Sequence, residues 1–260
     1  MKMIRIFTFI LILILLLLII YIKFEMIEPK IIGGNGRLKD AVSGLKNDEI
    51  YDQKSYPGIT WLFPKLSTQK SGKLKITKES VYSTSTPGQM RDIIQLSKKI
   101  LGDDLGKLTV TDATANVGGS TIGFAQNFGA VNSVEIDPKT FDLLKNNVEL
   151  FPNSDRVIFY NDDYLKLIPD LKQDLVFVDP PWGGIDYKSK DKISLKLGDK
   201  TMAEITDSLR GRAQCVIFKL PKNFDMSQFD EKKYKITGTE TKHFLLVALC
   251  LDPLSKPIIS

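Results

Sequence analysis

The sequence predicts an α/β domain built on an open, mostly parallel β-sheet, with a membrane-spanning helix ahead of it. Three observations carry that expectation. Short β-rich runs alternate with helical segments from residue 108 onward, several of those runs end on an acid, and residues 4–22 are almost unbroken Ile, Leu and Phe.

The amino-terminal run, "IRIFTFILILILLLLIIYI", has Arg5 near one end and Lys23 just past the other. Its length meets the roughly 20 apolar residues that a bilayer requires. A cleaved signal peptide is the competing reading, but it has a shorter apolar core and a small-residue cleavage site, which "YIKFEMIEPK" does not offer. An uncleaved single-pass anchor over residues 1–23 is therefore expected. Flanking charge does not orient it, because Lys2 and Arg5 face Lys23, Lys30, Arg37 and Lys39. Residues 24–56 include "IIGGNGRLKDAVSG", show no sustained period and read as a linker and leading arm. Residues 57–260 remain for the catalytic-sized domain.

From Thr60 the texture changes. "TWLFPKL" is a compact apolar patch, and the alternation in "GKLKITKESVYST" predicts a short strand with a polar face. In "TPGQMRDIIQLSKKIL", Thr86 caps, Pro87 takes the first helical position and Gln89 follows three residues after the cap. That arrangement predicts a helix from Pro87 to about Leu101. Then "LTVTDA" is a strand, "GSTIGFAQNF" a helix, "VNSVEI" a strand, and "PKTFDLLKNNVELF" a helix with Phe141, Leu144, Val148 and Phe151 on one face. "RVIFYN", "DLVFVD" and "QCVIFKL" continue as short buried strands, with a helix at about Thr201 to Leu209 between the last two. "KKYKITGTE" and "HFLLVALC" close the domain as an antiparallel pair around "ETK".

Composition narrows the chemistry. A hydrophobic content of 43% in 260 residues supports one sizeable core, and a net charge of +5 is a mild basic excess that suits a polyanionic partner. Cys215 and Cys250 both lie inside apolar runs and read as core thiols in a reducing compartment, not as a disulfide framework or thiolate metal site. His243 is the sole histidine, which excludes clustered imidazole metal sites and His-paired nucleophiles. No metal is expected. Chemistry falls to carboxylates, backbone groups, aromatics or a cofactor.

In an open parallel sheet, ligands lie beyond the carboxyl ends of the strands, where the topology switches direction. The first strand runs into "DATANVGGST", where Gly118 and Gly119 allow tight turning and close backbone approach, for a ligand or for packing alone. The second ends in "SVEIDP", with Glu135 about 20 residues past that turn, where an acid can bond ribose hydroxyls. Asp137, before Pro138, reads as a helix cap. The third ends in "NDDY", where Asp163 is a candidate for an adenine amine and a solvated cap is the alternative. The fourth runs into "DPPWGG". Asp179 arrives at the mouth of the crevice, and Pro180 and Pro181 fix the backbone so that the carboxylate and the Pro180 carbonyl can grip one exocyclic NH₂. Trp182 offers a stacking face worth roughly 1–3 kcal/mol to a base, and a structural turn would have no use for an exposed indole there.

The order "DATANVGG", "VEIDP", "NDDY", "DPPW" resembles the class I S-adenosylmethionine-dependent methyltransferases, in the branch that methylates exocyclic amines. Within that branch, residues from about Trp61 to Asp252 resemble the RNA cap guanine-N2 methyltransferases, the trimethylguanosine synthase family. "ESVYSTSTP", "VGGSTIGFA", "VEIDPKTFDLLKNN", "DPPWGGIDY" and "FKLPKNFD" carry the likeness, and "PPWGG" with "LPKN" discriminates it. The resemblance implies a Rossmann-like fold with a mostly parallel seven-stranded sheet whose last strand is antiparallel, S-adenosylmethionine as cofactor, and capped RNA as partner. It implies that Thr86, Asp112, Ala113, Thr114 and Gly118 line the cofactor, with Glu135 at its ribose, Asp163 at its adenine amine and Asp179 alongside. Asp179 and Pro180 would orient the target N2, and Trp182 would stack on 7-methylguanine, whose positive charge adds a cation–π contribution of roughly 0.5–2 kcal/mol. Lys219, Lys222 and Asn223 become candidates for the cap phosphates, with Lys188 and Lys190. Since capped RNA and cofactor are cytosolic, the catalytic domain is expected to face the cytosol. A membrane anchor is not a usual part of this family. Two alternatives stand beside the cap enzyme: an adenine-N6 or rRNA guanine-N2 methyltransferase, and a catalytically silent, membrane-tethered RNA-binding module.

Overall fold

The computed structural model describes residues 42, 44–47 and 49–251, apart from the side chains of 185 and 186. The chain divides into two compact units, Met1–Glu49 and Ile50–Ser260. Its strands are β1 (Ile50–Tyr51), β2 (Ile76–Thr77), β3 (Thr109–Asp112), β4 (Ala130–Val134), β5 (Val157–Tyr160), β6 (Leu175–Val178), β7 (Lys196–Leu197), β8 (Lys200–Thr201), β9 (Cys215–Leu220), β10 (Lys235–Glu240) and β11 (Leu245–Cys250). The helices are α1 (Thr68–Ser71), α2 (Lys78–Ser83), α3 (Pro87–Leu101), α4 (Gly119–Ala125), α5 (Pro138–Val148), α6 (Tyr164–Leu167) and α7 (Met202–Ser208).

Seven strands form one sheet in the order β10-β11-β9-β6-β3-β4-β5. β3, β4, β5, β6 and β9 pair in parallel, while β11 is antiparallel to both β9 and β10. The chain steps outward from β3 to β4 and β5, then returns to lay β6 on the other side of β3. The switch point therefore lies between β3 and β6, where the crevice was expected. β6 shows why the sheet is covered on both faces. All four of its residues are buried. Val176 and Val178 join a core with Ile205 and Leu209 around α7, whereas Phe177 packs edge-on against Phe124 of α4, ring centroids 5.4 Å apart.

Local chemistry sets the helix starts. Thr86 and Gln89 form a reciprocal capping box at α3 with Pro87 at the first position, and Asp137 caps α5 by accepting the Thr140 amide at 2.7 Å. The stretch expected as a strand with a polar face is mostly helical: only Ile76–Thr77 is extended, and α2 follows. A Thr77–Ser80 capping box starts that helix, overriding the alternation of apolar residues.

Two further expectations are corrected. No helix among the described residues is long and apolar enough to cross a membrane, so the transmembrane part of the fold assignment and the single-pass membrane placement with a cytosol-facing domain do not stand. The segment on which the span was read, residues 1–23, lies outside the described residues. The cysteines, read as separate core thiols, are disulfide-bonded. Register explains it: Cys250 of β11 lies directly opposite Cys215 of β9, with Cα atoms 4.1 Å apart.

Candidate active site

The carboxyl ends of β6, β3 and β4 are neighbours, and each delivers an acid. Asp112 closes β3 and is fully buried. Its Oδ2 accepts the hydroxyls of Ser120 and Thr121, both at 2.7 Å, which ties the strand end to α4. Oδ1 is buried without a well-formed hydrogen bond. Burial pushes the Asp112 carboxyl up to about 6; the two hydroxyls oppose this, the nearby Asp179 charge adds to it, and the Thr114 amide has the smallest lowering effect.

The glycine turn is tight for packing reasons as well. Gly118 has φ +99°, and a Cβ there would meet Val148 Cγ2 at 2.9 Å. At Gly119 a Cβ would lie 2.5 Å from the Ser85 carbonyl oxygen, so glycine lets the Thr84–Thr86 loop rest on the start of α4. Ala113 and Thr114 continue from β3: the Ala113 amide bonds the Phe177 carbonyl, and the Thr114 hydroxyl accepts the Asp179 amide at 2.9 Å. Glu135, at the end of β4, accepts the Asn116 amide at 2.9 Å and the Asp137 amide at 3.0 Å, and burial raises its pKa. Each of its oxygens keeps a lone pair for a hydroxyl. Beside it Ile136 is 66% exposed, an open apolar side chain that "VEIDP" does not single out in sequence. Asp163 caps α6 through the Leu165 amide at 2.9 Å, so the cap alternative describes its bonded oxygen.

On the other side of the switch point, Asp179 follows β6 and Pro180 behind it is buried. Asp179 Oδ2 accepts Lys219 Nζ at 2.7 Å. Burial is the largest influence on this carboxyl and raises its pKa, with Lys219 opposing. Trp182 is half-buried: its Nε1 donates to the Lys219 carbonyl at 3.3 Å, and its ring meets Tyr187 edge-on at 5.3 Å.

The phosphate candidates are placed differently from one another. Lys219 is 5% exposed and ion-paired, so its ammonium is not at the surface for a phosphate. Asn223 is a loop staple, its Nδ2 donating to the Tyr187 and Lys190 carbonyls, both at 2.7 Å. Lys222 lies outside, paired with Glu240 at 2.6 Å, and Lys188 and Lys190 are exposed as well. Strand register and hydrogen bonds thus place Asp112, Ala113, Thr114, Glu135 and Asp179 at adjoining strand ends, Lys219 links Asp179 and Trp182 to the Ser85 loop that opens α3, and Asn223 turns inward as a support.

A family profile described as RNA cap guanine-N2 methyltransferase matches residues 108–258, more than half of the chain. The chain belongs to that family. It is 30% identical to the trimethylguanosine synthase of Saccharomyces cerevisiae over 221 residues, 82% of this chain and 67% of that protein. It is 34% identical over 150 residues to an uncharacterized protein of Acanthamoeba polyphaga mimivirus; that match covers 55% of this chain and 58% of the viral protein. A Porphyromonas gingivalis W83 structure named for a methyltransferase aligns with TM-score 0.51 at 17% identity, over 74% of this chain and 47% of that one, a likeness of fold alone. Cap guanine-N2 methyltransferases are S-adenosylmethionine-dependent enzymes, and the crevice fits that cofactor. It offers an orphaned buried carboxylate oxygen on Asp112, acceptor capacity on Glu135 and a glycine turn between them.

Proposed function

We propose that this chain transfers a methyl group from S-adenosylmethionine to the exocyclic N2 of a 7-methylguanosine RNA cap. The observation that carries the reading is the convergence of Asp112, Glu135 and Asp179 on adjoining strand ends, all three carboxyls desolvated. Perturbed acids gathered at a topological switch point are the signature of a ligand site. Thr86, Asp112, Ala113, Thr114 and Gly118 hold the methionine portion of the cofactor, Glu135 its ribose, and Asp163 its adenine amine.

The cofactor supplies an electrophilic methyl on a sulfonium. The chain's own residues do the positioning, which is the larger part of such a reaction. Asp179 Oδ1 and the Pro180 carbonyl accept the N2 hydrogens and direct the nitrogen lone pair. With that donor bound, N2 would take up its methyl group, and Asp179 would accept the proton that N2 gives up. A carboxyl whose pKa is raised by burial accepts that proton more readily. Trp182, pinned by Tyr187 and the Lys219 carbonyl, stacks on the cationic base. Lys222 and the surface lysines Lys188 and Lys190 face the RNA phosphates.

Incubation with methyl-labelled cofactor and m7GpppG, against GpppG, tests this. Label is expected as N2-methyl on the 7-methylated cap alone. Equal labelling of both would sink cap specificity, and label on adenine N6 or on internal guanine would turn the assignment to the other base-methylating branch.

A further inference from the structure

We propose that Lys219 is a positioning residue for methyl transfer, its buried ammonium engaging Oδ2 and holding the Asp179 carboxylate ionised as the acceptor for the incoming amine. The inference rests on the reading of Asp179 as the group that orients N2.

Register puts the two side by side. Val178 of β6 lies opposite Phe218 of β9, so Asp179, just past the end of β6, comes level with Lys219 inside β9. Their side chains are 15% and 6% exposed. A lysine inside an apolar strand is rare without a paired acid, because the desolvation penalty is severe. Here the ammonium has three contacts: Asp179 at 2.7 Å, the Ser85 hydroxyl at 3.3 Å, and the face of Phe244, whose centroid lies at 5.5 Å. The same residue's carbonyl receives Trp182 Nε1. Lys219 therefore touches the acid through its side chain and the stacking aromatic through its backbone, and ties both to the loop that opens α3.

The charged groups that face Asp179 come from two elements. Lys219 of β9 favours the carboxylate, while Asp112 of β3 and burial disfavour it. Its other neighbours, the Thr114 hydroxyl and the Trp182 indole, are neutral. Removing Lys219 leaves Asp179 desolvated beside a second acid, and a protonated Asp179 has lost acceptor capacity toward an amine.

The test compares the wild type with Lys219→Met and Lys219→Arg by three readouts: carbon-detected NMR titration of the Asp179 carboxyl, single-turnover methylation of m7GpppG against pH, and calorimetry of S-adenosylmethionine binding. In Lys219→Met the Asp179 titration and the acid limb of the rate profile are expected to move up together by about one to three pH units. Cofactor affinity should stay within about threefold of wild type, as expected when an interaction on the substrate side is removed. Lys219→Arg keeps the charge and is expected to return the acid limb to the wild-type position with a slower rate, because its fork differs in shape. An acid limb that stays put in Lys219→Met, or moves up in Lys219→Arg, overturns the proposal, and the arginine variant suffices if the methionine variant does not fold. A wild type that binds cofactor but leaves the cap unmethylated counts against the proposed function alone, since the NMR titration reads the pair without turnover.

Discussion

At the amino-terminal end of the sheet, Asp174 uses both carboxylate oxygens within the fold: Oδ2 accepts the Thr109 amide at 2.8 Å and Oδ1 the Gln214 side chain at 3.0 Å. Its backbone joins as well, the amide donating to Thr109 and the carbonyl accepting from Gln214, each at 2.8 Å. At the carboxyl-terminal end, Asp112 has one oxygen satisfied by α4 and the other buried without a good partner. Both aspartates stand at the ends of central strands, yet one completes a lattice of hydrogen bonds and the other interrupts one. A buried acceptor left open costs stability, a cost that the proposed cofactor would offset on binding. The contrast separates an acid that holds strands in register from one with an acceptor to spare, the oxygen proposed for the cofactor.

The sharpest way to break this comparison is Trp182→Ala at the open end. Loss of a stacking face worth roughly 1–3 kcal/mol predicts a fall of about 5- to 150-fold in kcat/KM for the capped substrate, with cofactor affinity unchanged by calorimetry. If affinity for cofactor falls as steeply, the indole supports the cofactor half and the division of the crevice is wrong. Next in size, Asp174→Ala at the closed end is expected to lower unfolding free energy in urea by about 1–3 kcal/mol, since it strands the part-buried Thr109 amide. Activity per folded molecule should not change. The smallest effect is in pH. Asp112 charges as pH rises through about 6, and only the charged form attracts the cofactor's ammonium. Affinity should fall a few-fold between about pH 7 and pH 5 by a linkage that Asp112→Asn removes. The same shift has the opposite sign for the empty fold: a carboxyl raised from 3.8 to about 6 binds protons more tightly when folded, so its contribution to stability declines as pH rises across that window.

The readable features were those fixed by local chemistry. Thr86, Pro87 and Gln89 announce α3 within four residues, and the acids at the ends of β3, β4 and β6 stand out because each closes an apolar run. The strand expected before α2 failed because a Thr77–Ser80 cap lacks the glutamate that marks such boxes. Lys219 carried a signal that went unused: a lysine within "CVIFKL" implies a buried partner, although the identity of that acid depends on which strand lies alongside. The Cys215–Cys250 bond depends likewise on register between residues 35 apart in sequence. The exposure of Ile136 is likewise a tertiary property, since an aliphatic between two acids looks unremarkable in sequence.

The reversed direction of β11 reaches beyond topology. Because that strand enters the sheet from the crevice side, Phe244 immediately ahead of it roofs the ammonium of Lys219. A parallel strand in that slot would begin at the opposite edge, leaving the cation open to water. The reversal therefore gives the ion pair its dry ceiling, making the last strand part of the dielectric environment in which Asp179 operates.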